Sequence, residues 1–315
     1  MTTLLSNMQL INQQQKDTLQ RFIQSRTVGD VLDKAKPGLR DLVDLPLTCT
    51  VEDALDLLLA KDILSVPIYH IEGNEKKYVA IVSALDLLKL LSAKVSIETL
   101  QSNSDTLLMQ LSEAISISEP LAILKTTDSL DQLLPLLSVE KVHRVLVQQA
   151  SSSNFVLLSQ MDLIRFFQAN NHHIGSSVLD LPVDKIKSSG IRSSINFKCT
   201  AAVAFLKLAA DAHISALPIV DDNNDLIGEI SAQDLRGLNR NRWDSLLKPV
   251  VMYLKASHGD LYAPLTCHDR FTLSQIMSAF VLRKTHRLWW MNYETGELRG
   301  VVTLTDILST FTSIH

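Results

Sequence analysis

A fourfold internal repeat is the feature that most limits what this chain can fold into. Four segments end in an apolar stretch followed by Ser or Thr, two residues and an aspartate, and these aspartates lie 76, 72 and 72 residues apart: Asp86, Asp162, Asp234 and Asp306. A hydroxyl residue precedes each aspartate by 33 to 36 residues and begins an apolar pattern of helical spacing: Thr50, Ser129, Thr200 and Thr272. This self-similarity indicates four copies of one supersecondary unit.

Each copy predicts the same order of elements. The hydroxyl residue is typical of a helix N-terminus, and the helix leads into a short apolar segment, such as residues 66–68 or 217–220, that predicts a buried strand. A polar turn, a second strand and a closing helix follow. The fold class is therefore α/β (α+β). One copy is too small to bury a good core, so we expect the repeats to pack in pairs through their sheets.

The markers and the polar connections between them set the expected domain boundaries. We place the repeats at residues 27–94, 115–172, 178–240 and 258–315, after an N-terminal extension over residues 1–26. The extension contains apolar residues at helical spacing, among them Leu19, Phe22 and Ile23. It could cover a pair of repeats or contact a partner.

Composition excludes several classes of function. The chain has only 10 glycines in 315 residues, with no G-x-G and no G-x-x-x-x-G-K, which excludes Rossmann and P-loop phosphate sites. A net charge of −4 argues against nucleic-acid binding. Three cysteines without C-x-x-C predict no structural metal site. Without a signal peptide or an apolar run of membrane length, we expect a cytoplasmic or nuclear protein with no membrane partner.

The Ser/Thr-x-x-Asp marker has two interpretations. It can be a capping box, in which the hydroxyl and the carboxylate satisfy the amides at the start of the closing helix. A helix N-terminus is also a site for polar ligands, and a carboxylate there could accept both hydroxyls of a ribose.

A repeated His-Arg pair is a more specific indication of ligand binding than the Ser/Thr-x-x-Asp marker. His143-Arg144 in repeat two and His286-Arg287 in repeat four stand at the same position, where the first buried strand begins. Arginine offers a planar fork for phosphate, and histidine adds a donor. A two-fold arrangement of the repeats would bring the four side chains to one anion-binding centre. The alternative is a network of salt bridges to carboxylates.

This order of elements and these markers resemble the cystathionine-β-synthase (CBS) domain, over roughly residues 27–315. Four such repeats without a catalytic domain resemble the gamma regulatory subunits of the AMP-activated/SNF1 protein kinase family. The resemblance implies two Bateman modules in a disc-like, pseudo-symmetric arrangement, with AMP, ADP or ATP as regulatory ligands and no covalent cofactor. It also implies kinase catalytic and scaffold subunits as partners, and no enzymatic activity of the chain itself.

The resemblance assigns nucleotide-binding residues to the markers. By this resemblance, the aspartates of the markers hold ribose and the His-Arg pairs hold phosphate. Small residues in repeat three leave room for adenine. The implied set is Ser83, Asp86, His143, Arg144, Ser159, Asp162, Ser215, Ala216, Ser231, Asp234, His286, Arg287, Thr303, Thr305 and Asp306.

Several positions depart from the gamma-subunit pattern. Leu64 stands where a basic residue is expected, Met161 and Asp162 stand where animal gamma subunits have two basic residues, and no arginine precedes repeat four, although Lys255 and His258 are nearby. These losses support an alternative: an interaction protein, such as a phosphatase regulator or an assembly platform, that keeps the scaffold with little or no nucleotide binding.

Two further patterns predict structure rather than chemistry. Residues 267–270, Cys-His-Asp-Arg, contain the residue types of a catalytic triad, but consecutive residues do not face one another, and we interpret them as a turn. Trp289-Trp290 predicts core positions in a strand, with one ring on each face.

Overall fold

The chain forms two compact bodies, each assembled from segments far apart in the sequence. The computed structural model describes residues 13–38, 41–139, 142–149, 154–186 and 188–314. Body A combines the described residues up to Leu42 with those of Ala122–Ile191 and Leu265–His315. Body B combines Val43–Leu121 with Arg192–Pro264. Body A thus contains repeats two and four, and body B contains repeats one and three.

Two helices precede the opening strand of repeat one, and repeat one then follows the predicted order with one strand added at its start. Counted from its opening strand, each repeat begins after its expected first residue. The two leading helices are α1 (Gln13–Gln24) and α2 (Val28–Ala35). Repeat one consists of β1 (Leu45–Pro46), α3 (Val51–Ala60), β2 (Ser65–Glu72), β3 (Glu75–Ser83) and α4 (Ala84–Ser92). Short 3₁₀ turns occupy much of the connection to repeat two.

Repeat two has the same elements, followed by a short helix in the connection to repeat three. Repeat two consists of β4 (Ile123–Lys125), α5 (Leu130–Leu137), β5 (Arg144–Gln148), β6 (Phe155–Ser159) and α6 (Gln160–Ala169). The connection contains α7 (Ser176–Leu179) and β7 (Ser189–Gly190).

Repeat three differs at its end, where the closing helix is a single 3₁₀ segment, Ala232–Leu235. Its other elements are β8 (Ile195–Asn196), α8 (Ala201–Ala210), β9 (Ala216–Val220) and β10 (Leu226–Ser231), followed by α9 (Val250–His258) in the connection. Repeat four consists of β11 (Thr266–His268), α10 (Leu273–Arg283), β12 (Arg287–Met291), β13 (Leu298–Thr303) and α11 (Leu304–Ile314). The four units therefore share the order βαββα, with a 3₁₀ segment as the last element of repeat three.

The short strand that opens each unit was not predicted. It lies parallel to the central strand, which pairs in antiparallel fashion with the third strand, as in the order β1-β2-β3. A strand of two or three residues has too few positions to show a period of two. Cys267 belongs to one of these strands, β11, so the expectation of a turn over residues 267–270 was wrong at its first residues.

The first helix of each unit begins where the sequence predicted. Each predicted hydroxyl residue is the N-cap of its helix, and its side chain accepts a hydrogen bond from the backbone N–H three residues later. This bond satisfies one of the backbone amides that lack a partner at a helix start. The N-cap residues are Thr50, Ser129, Thr200 and Thr272.

Body A has one core shared by repeats two and four. Helix α6 packs on α2, α10 and α11, and α11 also packs on α5. Helix α1 buries Leu19, Phe22 and Ile23 in the same core, which agrees with the idea that the N-terminal segment covers a pair of repeats; residues 1–12 lie outside the described part. The predicted core position of Trp289 is confirmed, since this ring is 2% exposed.

Body B is built in the same way from repeats one and three. Helix α4 packs on α8 and on the 3₁₀ segment Ala232–Leu235, and the core is continuous across both repeats. Pairing of repeats is therefore observed inside each body, although helices rather than sheets make the shared contacts. No helix in the described part of the chain is long and apolar enough to span a bilayer.

The outer strand of each sheet is covered by a segment that leads into a different repeat. Glu119, before repeat two, bridges to Ile81 on β3; strand β7, before repeat three, pairs with β13. Lys36, before repeat one, donates to the carbonyl of Leu157 on β6. Leu261, before repeat four, lies beside Gly228 on β10. Repeats one and two thus exchange covering segments, as do repeats three and four.

Candidate functional site

Each repeat has a corner where the central strand begins beside the start of the closing helix. The first residue of the central strand pairs with the hydroxyl residue that caps this helix: Ser65 with Ser83, Arg144 with Ser159, Ala216 with Ser231, and Arg287 with Thr303. The residue before the strand is tied in as well, since the N–H of Gln160 donates to the carbonyl of His143 over 3.0 Å. The Ser/Thr-x-x-Asp marker therefore lies beside the start of the central strand in every repeat, which in repeats two and four is the position of the His-Arg pair.

The capping interpretation of Ser/Thr-x-x-Asp holds in all four copies. One carboxylate oxygen, Oδ2, accepts from the backbone N–H of the hydroxyl residue over 2.7 to 2.9 Å and from its side-chain O–H over 2.6 to 3.1 Å. A carboxylate has a second oxygen with its own acceptor sites. The corners differ in what that oxygen contacts, and Asp86, Asp162 and Asp234 are all at most 7% exposed.

In repeat one, the carboxylate of Asp86 is open on its second oxygen. All its hydrogen bonds go to Ser83 through Oδ2, and Oδ1 bonds no residue that the structure describes. Burial raises the pKa of Asp86, and the negative charge of Glu119 acts in the same direction, against the hydrogen bonds from Ser83. This corner can accept a donor from outside the protein.

In repeat two, the carboxylate of Asp162 faces two cations. Lys36 Nζ lies 3.2 Å from Oδ2, and Arg165 lies 3.4 Å from Oδ1. Asp162 is 2% exposed, so both of its oxygens are in contact with protein groups. Lys36 is 126 positions away in the sequence, and no motif linked the two residues.

In repeat three, His258 occupies the second oxygen. Its Nε2 lies 2.8 Å from Asp234 Oδ1, and the hydroxyl of Tyr253 donates to the backbone carbonyl of Asp234 over 2.8 Å. Burial of Tyr253 raises the pKa of its phenol. Beside this corner Ser215 is exposed and Ala216 is buried, which leaves only small side chains where the strand begins.

The corners of repeats two and four are brought together inside body A. Gln160, the residue after Ser159, donates from Nε2 to the hydroxyl of Thr305, two residues after Thr303, over 2.8 Å. The same Nε2 lies 2.8 Å from the carbonyl of Leu137. The Gln160–Thr305 bond joins the first turns of α6 and α11. The sequence offered no marker for Gln160, because a glutamine at a helix start is common.

The basic residues of the predicted anion site lie at these two joined corners. His143 and Arg144 in repeat two, and His286 and Arg287 in repeat four, are half-buried and belong to one body. Arg144 begins β5 and Arg287 begins β12, each opposite the hydroxyl residue that caps the next helix. Each of these helix N-termini also carries the carboxylate of its capping aspartate, Asp162 or Asp306. The two corners thus combine basic side chains, helix N-termini and acids.

Outside these corners, the further candidate sites are clusters of metal ligands and the cysteines. Among the described residues, no group of three His, Cys, Asp or Glu is arranged to hold a metal ion. Cys267 is buried, which raises the pKa of its thiol to about 12.

Comparison with known proteins points to one domain type. The profile of the CBS domain matches residues 28–93 and 195–239. The chain is 25% identical to the 5'-AMP-activated protein kinase subunit gamma of Saccharomyces cerevisiae, over 93% of this chain and 92% of the relative. It is 23% identical to the SNF1-related protein kinase regulatory subunit gamma-like PV42b of Arabidopsis thaliana, over 92% of this chain and 95% of the relative.

A solved structure shares the fold. Protein MJ1225 from Methanocaldococcus jannaschii superimposes with a TM-score of 0.66 at 16% sequence identity, covering 86% of this chain and 96% of the other. The fold that the sequence predicted, four repeated α/β units, is confirmed.

Proposed function

We propose that this chain, a non-catalytic CBS-domain protein built from four CBS-like units and similar over most of its length to AMPK/SNF1 gamma subunits, is a regulatory subunit that senses adenine nucleotides. One observation carries the proposal: Gln160 and Thr305 join two helix N-termini, and Arg144 and Arg287 begin the strands beside them. A phosphate placed there meets charged donors from two repeats.

The ribose and the base have their own candidate positions. Asp86 has an open carboxylate oxygen that can accept ribose hydroxyls, and Asp234 and Asp306 stand at the corresponding positions in repeats three and four. The small residues Ser215 and Ala216 leave room for an adenine ring against the start of β9. AMP, ADP and ATP share the ribose and the base but differ in phosphate number. A nucleotide bound within body A, with its ribose at Asp306, would therefore contact the histidines and arginines of that body to a different extent in each case.

This difference in contacts allows the chain to sense nucleotides by binding alone, without a chemical reaction. A ligand shifts a conformational equilibrium only by its differential affinity for the two states. Nucleotides that engage His143, Arg144, His286 and Arg287 unequally would favour different conformations. A kinase partner of the SNF1/AMPK type would then respond to the conformation. The names of the yeast and Arabidopsis relatives support this choice of partner.

Calorimetry tests nucleotide binding directly. Titration of the purified full chain with AMP, ADP and ATP at up to millimolar concentration should give saturable heat for at least one of them. The absence of both heat and a thermal shift with all three nucleotides would overturn the proposal. Co-purification from a native extract tests the partner, which should be a kinase catalytic subunit together with a scaffold subunit.

A second candidate is an interaction scaffold with weak or absent nucleotide binding. It is favoured by the partners that several polar groups already have: Asp162 with Lys36, Asp234 with His258, and Thr305 with Gln160. Under this candidate, Arg144→Ala combined with Arg287→Ala leaves partner capture unchanged. Under the nucleotide-sensing proposal, the same pair of substitutions abolishes any effect of nucleotide on the partner.

A further inference from the structure

The four capping aspartates are equivalent in sequence but not in surroundings. Asp86 and Asp162 form the same cap through Oδ2, with N–H distances of 2.8 and 2.9 Å. Oδ1 of Asp86 bonds no described residue, whereas the carboxylate of Asp162 contacts an ammonium and a guanidinium. The difference arises from Lys36, which the fold brings from outside repeat two.

Two contacts position the ammonium of Lys36. It lies 3.2 Å from Asp162 Oδ2 and donates to the carbonyl of Leu157 on β6, the outer strand of its sheet. The side chain of Asp162 is only 3% exposed, and that of Lys36 is 33% exposed. The ammonium therefore satisfies a strand-edge carbonyl and a buried carboxylate together, and it lies between the corner and solvent.

We propose that Lys36 determines which repeats bind ligand: its ammonium holds the carboxylate of Asp162 at Oδ2, with Arg165 beside Oδ1, and so closes the corner of repeat two to ribose hydroxyls. The inference rests on the proposed function. It adds that the aspartate in repeat two, although present in the sequence, is not a nucleotide contact in the native chain.

The energetic reason is the burial of the carboxylate. Separating a buried charge from its counter-charge is strongly unfavourable, because the remaining ion is neither hydrated nor paired. Two neutral hydroxyl donors replace hydrogen bonds but not the positive charge. Nucleotide entry would also leave the ammonium of Lys36 without the carboxylate and without the carbonyl of Leu157. The corner of repeat one has no ion pair of this kind among the described residues: the charges that act on Asp86 are those of the acid Glu119 and, to a smaller extent, of Lys89.

Counting binding sites tests the inference. We compare wild type, Lys36→Met and Lys36→Gln by calorimetry and equilibrium dialysis with AMP. Methionine keeps the length of the stem without charge, and glutamine can still donate to Leu157. Both variants should bind one more equivalent of AMP than wild type. Adding Asp162→Asn should remove that equivalent, and Lys36→Arg should keep the wild-type number.

A neighbouring lysine is the matched control. Lys34 lies on α2 close to Lys36, is exposed, and forms no ion pair with Asp162. Lys34→Met should therefore bind the same number of equivalents as wild type. Thermal unfolding of each variant establishes that the bodies remain folded.

Each outcome separates the inference from the proposed function. If wild type binds AMP and neither Lys36 variant gains a site, the inference is wrong and the proposed function stands. If wild type binds no nucleotide but the variants bind one, the inference stands and nucleotide sensing by the native chain is wrong. Binding by none of them overturns both. A lost site in the variants would make Lys36 a ligand contact and overturn the inference.

Discussion

Gln160 Nε2 donates a hydrogen bond to Thr305 Oγ1 over 2.8 Å, and this bond connects the helix starts of repeats two and four. Gln160 is 5% exposed, and its second acceptor is the carbonyl of Leu137. The amide is therefore an internal tie between two repeats that are far apart in sequence. It also sets the spacing of the two corners that carry Arg144 and Arg287.

Removal of this tie should lower stability. Gln160→Ala leaves the carbonyl of Leu137 and the hydroxyl of Thr305 without their donor, and an unsatisfied buried polar group costs about 1–3 kcal/mol. Urea unfolding should show a loss of that size in the free energy of unfolding. Gln24→Ala, at the exposed end of α1, is the control and should change it by less than about 0.5 kcal/mol. Equal losses in the two variants would show that the tie is energetically silent.

The arginines at the joined corners should act on phosphate and not on the nucleoside. Arg144→Ala or Arg287→Ala should weaken AMP binding roughly tenfold to a hundredfold, since a hydrogen bond to a charged group contributes about 1.5–3 kcal/mol. Adenosine binding should be almost unchanged. Calorimetry with both ligands measures the difference.

Arg299 supplies the control for these substitutions. It lies in repeat four, pairs with Asp269 near the surface, and is not at a corner. Arg299→Ala should bind AMP like wild type. An equal loss for adenosine and AMP in the corner variants would mean that the arginines hold the fold rather than the phosphate.

The buried carboxylate of Asp86 should make stability depend on pH. Burial raises its pKa in the folded protein above the ordinary value of 3.8. A raised pKa means that protonation favours the folded state. This contribution is fully present below pH 3.8 and is lost as the pH rises through the folded pKa. Asp86→Asn, which can still accept from Ser83, should lack that loss.

Thermal unfolding across this pH range compares the two proteins. The stability of wild type should fall relative to Asp86→Asn as the pH rises, and the difference should become constant once Asp86 is ionised in the folded state. Parallel curves would contradict the prediction.

Gly237 should tolerate a side chain poorly. Its φ is +72°, and a Cβ there would lie 2.3 Å from Leu59 Cδ2. Its N–H also donates to the carbonyl of Leu55, which prevents the backbone from moving away. Gly259 has a φ of +84° with open space around it. Gly259→Ala should cost about 1–2 kcal/mol from the left-handed backbone alone, and Gly237→Ala should cost somewhat more in urea unfolding, because the exposed side chain of Leu59 must also move aside. Similar costs would show that helix α3 adjusts freely.

The three cysteines should differ in reactivity. Cys267 is 2% exposed with a thiol pKa of about 12, whereas Cys49 and Cys199 are partly exposed. A thiolate-directed reagent at pH 8 should modify Cys267 only after unfolding, because the thiolate is the reactive form. Mass spectrometry of peptides from native and denatured protein locates the modification. Labelling of Cys267 in the native protein at the rate of Cys199 would contradict its burial.

The sequence was sufficient for what is local. Thr50 and Ser83 indicate helix starts in the sequence, because a capping box depends on residues only three positions apart. The apolar runs around Val66 and Leu217 are long enough to predict a buried strand. The opening strands, such as Leu45–Pro46, are too short for any period.

Contacts between distant segments could not be predicted. Lys36 meets Asp162 only because body A assembles from separated pieces, and His258 meets Asp234 across 24 positions within one piece of body B. The sequence offered two roles for the aspartates, cap and ligand. The cap is present in every repeat, and the surroundings that decide the second role are set by tertiary structure.

The interleaving of the two bodies also has a consequence for how the protein is made. Body B needs residues from both 43–121 and 192–264, and body A needs residues 265–315 to complete the core that repeats two and four share. A ribosome delivers the chain from its N-terminus, so neither body can close while the first half alone has emerged. Repeats one and two must wait, with apolar helix faces exposed, for partners still being synthesised. The order of the repeats therefore delays closure of both bodies until the second half of the chain has been made.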